Sequence, residues 1–66
     1  MGFAERLQNE EYELSERIEK LKAFISGDRF ELLPEIDRQD LRQQLKAMHE
    51  YHAILLRRCS RLCGAA

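Results

Sequence analysis

The sequence predicts an all-α fold: an antiparallel αα-hairpin with a short helical turn in the connection, assembled into an oligomer. Three observations predict it. Leu7, Leu14, Ile18, Leu21 and Ile25 form one heptad-spaced apolar stripe, and Leu41, Leu45, Met48, His52, Leu55, Cys59 and Leu62 form a second. Spacings of three, four or seven keep each set on one helix face. The only proline, Pro34, lies between the two stripes. The second helix also carries more apolar residues than one partner helix can cover.

Helix one is expected from Phe3 or Ala4 to Ser26, with Gly27 as a left-handed C-terminal cap. Asp28-Arg29-Phe30-Glu31 has the form of a capping box and is followed by Leu32 and Leu33. Residues 28–33 therefore read as one short helical turn, with Phe30 and Leu33 folding back over that end of the hairpin. Pro34 suits the first position of a new helix, where its missing N–H costs nothing. Glu35, Asp37 and Asp40 crowd that start, as the helix dipole prefers. Helix two should run from Pro34 or Glu35 to about Leu62 and fray into Gly64-Ala65-Ala66.

Folding back antiparallel around residues 27–36 sets Ile18 against Met48, Leu14 against His52, Glu11 against Leu55 and Leu7 against Cys59. Glu11 interrupts the first stripe, and Arg58 falls close to it on the next turn. An ion pair between them would account for the intrusion and favour one register. Ala47, Tyr51 and Ile54, with Leu56, make a further apolar stripe on helix two, and Phe3, Tyr12 and Phe24 flank the first. Such a patch on a single chain argues for self-association.

The chain has 66 residues, one helical-hairpin domain over residues 1–66. At roughly 1.5 kcal/mol of ordering cost per residue, a single two-helix seam does not suffice, and chains of this size add disulfides, metal or further subunits. A charged fraction of 35% with three glycines reads as exposed helix rather than disorder. No run approaches the roughly 18 apolar residues of a membrane span. The charged N-terminal segment is unlike a signal peptide, so the expected location is the cytoplasm.

A net charge of −1 argues against binding a DNA or RNA polymer. The distribution is uneven: residues 1–33 hold five Lys/Arg and eight Asp/Glu, residues 34–66 six and four. After Glu50 only cations follow, Arg57, Arg58 and Arg61. They have two readings: complements to the helix C-terminal dipole, or an anion site that symmetry multiplies around an axis.

Cys59 and Cys63 are four apart on one helix, too distant for a relaxed disulfide within it. His49 and His52 complete an H-x2-H-x6-C-x3-C pattern suggestive of zinc. His49 to Cys63 would span about 21 Å on a continuous helix, so no single ion collects all four from one chain. A zinc site shared between chains is the least favoured of the readings, and no metal or cofactor is expected; Cys59 reads as a small seam hydrophobe and Cys63 as a reduced thiol near the chain end. The glycines, Gly2, Gly27 and Gly64, make no phosphate loop. Glu10/Glu13 and Glu16/Glu19 read as solvated charge on outer faces, and a bare hairpin offers no cleft to position a reacting group. No catalytic residue is assigned.

Binding is the class left open. Guanidinium or ammonium groups recognise phosphate, and flat aromatic rings stack on bases. Tyr12 lies outside the seam, where its ring serves a second interface or a ligand. Lys22 is a solvated lysine by default, beside the seam residue Leu21.

The run Leu14-Ser15-x-x-Ile18-x-x-Leu21-x-x-Phe24-Ile25, then Phe30-x-x-Leu33, then Leu41-x-x-Gln44-Leu45-x-x-Met48-x-x-Tyr51-x-x-Ile54-Leu55-x-x-Arg58, resembles small helical-hairpin proteins of bacteriophages. Among these are the sponges that counter CBASS and Thoeris immunity by sequestering cyclic di- and trinucleotides or cyclic ADP-ribose isomers. Tyr-x-Leu-Ser at Tyr12–Ser15 is similar to a Tyr-x-x-Leu-Ser segment of the anti-CBASS members, one residue shorter here. The resemblance implies that this tyrosine, with Lys20 or Lys22 near the end of the first helix, contacts a cyclic dinucleotide. It also implies a homo-oligomer, a hexamer in the family, acting without catalysis in the host cytoplasm if phage-encoded. The proline-containing tail of longer sponges is missing. The assigned ligand-binding residues are Tyr12, Lys22, Arg57 and Arg58, gathered from neighbouring copies. The alternative is an oligomerisation or adaptor module that docks a host or phage protein.

Overall fold

A computed structural model describes residues 2–62, and these form a helical hairpin. Helix α1 spans Phe3–Ile25, a 3-10 helix spans Asp28–Leu32, and helix α2 spans Glu35–Leu62. The expected fraying of residues 64–66 and the Cys63 thiol lie outside the described residues. The hairpin is a rod of 46 × 17 × 16 Å with a radius of gyration of 14.9 Å. A compact domain of this length would have a radius of about 10–11 Å. The extended shape follows from packing only two helices along one seam.

That seam is built from the two stripes. Leu7, Leu14, Ile18 and Leu55 are buried, and Leu45, Met48 and Cys59 pack against them half-buried. Leu21, Ile25 and Leu41 are also half-buried, because no third helix covers their outer edges. Leu62 is the exception, 47% exposed at the end of α2. The spare stripe stays open, with Tyr51, Ile54 and Leu56 all exposed.

Local chemistry at the connection differs from expectation in two places. Gly27 is not a left-handed cap: its φ of −94° and ψ of 173° are extended backbone. Helix α1 instead ends through a tightened last turn, in which the Ser26 N–H donates to the Lys22 carbonyl and the Gly27 N–H to Phe24, each at 3.0 Å. Asp28 does not close a capping box either. It lies inside the 3-10 helix, whose N-terminal cap is Gly27 with no side-chain hydrogen bond. Pro34 sits one residue ahead of α2, and its carbonyl accepts the N–H groups of Asp37 and Arg38 at 3.1 Å.

Phe30 plugs this closed end as the sequence predicts. It is 1% exposed, meets Phe24 edge-to-face at 6.2 Å between centroids, and lies under the Arg42 guanidinium at 5.0 Å. Arg38 pairs with Glu31 at 3.3 Å, tying α2 to the 3-10 helix.

The register across the seam corrects the expected Glu11–Arg58 pair. Glu11 Oε2 lies 2.7 Å from His52 Nε2, with both side chains largely covered. The expected partner of His52 was Leu14, so the pairing is offset by about one helical turn. Glu10 is not simply a solvated outer charge, since its carboxylate accepts the Tyr51 hydroxyl of α2. The one polar residue of each stripe is thereby matched to the other, which satisfies both at half depth.

Candidate functional site

The open end of the hairpin, where the first turns of α1 meet the last turns of α2, holds two adjoining clefts. The larger, about 250 Å³, is lined by Phe3, Arg6, Leu7, Glu10 and Arg58. The smaller, about 230 Å³, is lined by Phe3, Arg58, Arg61 and Leu62. Phe3 and Arg58 belong to both. Phe3 is 57% exposed, a ring presented rather than packed away. Arg6 and Arg61 come from opposite ends of the chain, and only antiparallel folding brings them to one place.

Among the described residues, no carboxylate lies within 4.0 Å of the charged ends of Arg6, Arg57, Arg58 or Arg61. Glu10, which lines the larger cleft, is engaged by the Tyr51 hydroxyl. That bond is the main reason the Tyr51 phenol titrates above its usual range, with partial burial and the Glu10 charge adding to it; nearby Arg58 pulls the other way. The surroundings of Arg58 thus hold both signs, with cations in excess.

Of the four residues assigned from sequence, Arg57 and Arg58 are neighbours at this end, and Arg58 alone lines the clefts. Tyr12 lies two positions from buried Leu14, about 200° round α1, so it faces away from the seam and is 62% exposed. Its hydroxyl bonds Glu16, which raises its pKa, with the Glu16 charge next in effect. Lys22 occupies the last turn of α1 and pairs with Glu19 at 3.6 Å. It lies some 15 residues along α1 from the cleft residue Leu7, roughly 20 Å. One chain therefore brings together only the arginine pair; Tyr12 and Lys22 stand apart from it and from each other.

Sequence reasoning passed over Arg6, counted Phe3 only as apolar surface flanking the first stripe, and named Arg61 among the candidate cations without assigning it to the site. The missing signal was register. Once Glu11 is set against His52, the first turn of α1 falls beside Arg58 and Arg61. Among the described residues, no three His, Cys, Asp or Glu side chains are grouped to hold a metal ion. His52 is committed to Glu11, and Cys59 packs against the core. No described helix is long and apolar enough to cross a membrane.

No curated protein and no solved structure matches the chain. A family model described as Sequestin matches residues 1–61, nearly the full length, so the chain belongs to the Sequestin family, whose name points to a sequestering role, binding rather than turnover.

Proposed function

We propose that this protein sequesters a cyclic oligonucleotide or cyclic ADP-ribose-type defence signal without catalysis, as a phage immune-evasion protein acting as a homo-oligomer. The observation that carries this reading is the arginine-rich open end, where four guanidinium groups have no carboxylate partner among the described residues. Guanidinium forks match phosphate oxygens in geometry and charge. Membership of the Sequestin family supports retention of a ligand. The likeness to phage hairpin sponges supports the ligand class.

Self-association is part of the proposal. Tyr51, Ile54 and Leu56 are large apolar side chains left exposed on α2, and a second copy laid along them would remove that surface from water. Neighbouring copies would also carry Tyr12 and Lys22 towards the arginines of other chains, which one chain alone keeps apart. The same exposed stripe would serve an adaptor that docks another protein, the reading to which a negative ligand screen returns.

The test is a calorimetric or native-mass screen of the pure protein against cyclic di- and trinucleotides and cyclic ADP-ribose isomers. Sedimentation at micromolar concentration accompanies it. The proposal expects a folded oligomer that binds at least one of these compounds, more weakly as salt rises. Absence of binding at ligand concentrations of order 100 μM, about −5.5 kcal/mol on the affinity scale, or a stable 7.8 kDa monomer, would sink it.

A further inference from the structure

We infer that the two open-end clefts form a single nucleotide subsite within one chain, with Arg58 and Arg61 holding phosphate, Arg6 closing on it from α1, and the Phe3 ring stacking on the base. This rests on the sequestering reading and goes beyond it, because to Arg58, already assigned from the sequence, it adds Phe3, Arg6 and Arg61, which that assignment did not include.

The geometry supports a shared site rather than two. Each cleft, at about 250 and 230 Å³, falls below the roughly 300–1,000 Å³ typical of pockets for drug-sized molecules. Each alone fits a phosphate group or one base. Because Phe3 and Arg58 line both, a ligand with a flat ring and an anionic group can occupy the two at once. A phosphorylated nucleoside has that form.

Charge decides the orientation. The N-terminus of α1 is positive and the C-terminus of α2 is negative, so at this end the two helix dipoles largely oppose each other. The guanidinium groups are what remains. Arg6, Arg58 and Arg61 outweigh Glu10, whose carboxylate already accepts from Tyr51. Stacking on an exposed ring tolerates any base, which predicts a subsite selective for phosphate and permissive for the nucleobase.

The experiment is calorimetry of the full chain at low salt with two probes, inorganic pyrophosphate for the charge alone and ADP for charge plus base. Arg58→Ala and Arg61→Ala should each weaken both probes about tenfold or more, as expected for losing a charge-assisted contact. Phe3→Ala should weaken ADP severalfold and leave pyrophosphate unchanged. Arg29→Ala, an exposed arginine at the other end of the rod, should alter neither. Circular dichroism confirms that each surface variant is folded. Failure of both probes to bind, or binding indifferent to Arg61→Ala and Phe3→Ala, overturns the subsite. If a cyclic nucleotide binds and responds to Tyr12 or Lys22 variants but not to these, the subsite falls and sequestration stands. If the probes bind as described while every cyclic nucleotide fails, the subsite stands and the proposed signal class falls.

Discussion

The two ends of this hairpin are built from the same residue types and use them in opposite ways. At the closed end Phe30 is buried, Phe24 meets its edge, Arg42 covers its face, and Arg38 is tied to Glu31. At the open end Phe3 is exposed, and Arg6, Arg58 and Arg61 surround clefts without a carboxylate partner among the described residues. Connectivity explains the contrast. The 3-10 helix carries an aromatic plug back across the first end, whereas at the second, among the described residues, the Phe3 ring stays 57% exposed. Aromatic and guanidinium groups stabilise where the chain closes on itself and remain available where it does not.

The largest test of this contrast exchanges the two phenylalanines for alanine. Phe30→Ala should cost about 3–5 kcal/mol, because it opens a cavity and strips Phe24 and Arg42 of their partner. Phe3→Ala should stay within about 0.5 kcal/mol, as for other exposed positions. Thermal melts of both variants measure the difference, and equal losses would abolish the distinction between the ends.

A second comparison sets the seam against the open end. His52→Ala leaves the largely covered Glu11 carboxylate without its partner at 2.7 Å, and should cost about 1–2 kcal/mol. Arg58→Ala should change stability by less than about 0.5 kcal/mol. Denaturant midpoints ordered the other way would restore the Glu11–Arg58 pair expected from heptad counting. Tyr51 extends this to pH. Its phenol is raised above the usual value by the bond to Glu10, so the folded state holds that proton more tightly than the unfolded chain does. The stabilisation is therefore fully present below about pH 10 and fades as pH climbs through the higher folded value. Tyr51→Phe should flatten this alkaline decline in a melting series.

The smallest effect sharpens the closed end. A Cβ at Gly27 would meet the Ala23 and Phe24 carbonyl oxygens at an ordinary 3.5 Å, and the backbone there is extended. Gly27→Ala should be neutral or raise stability by up to about 1 kcal/mol through the unfolded chain. A left-handed cap would instead make the same substitution destabilising, and a single melt separates the two.

Sequence alone determined the two helices, the face each turns inward, the short helical turn and the closure by Phe30. Helix periodicity depends on residues three and four apart, and that information is local. It also indicated that α2 carries apolar surface beyond what α1 covers, which the exposure of Tyr51 and Ile54 bears out. Only the tertiary structure decided the partner of Glu11, the extended backbone at Gly27, and the meeting of Phe3 and Arg6 with Arg58 and Arg61. Heptad spacing is unchanged when one helix slides past the other by a turn, so it says which face packs but not at what level. The level is seen only in cross-seam pairs such as Glu11 with His52 and Glu10 with Tyr51, and a cleft lined by both helices exists only once that level is set.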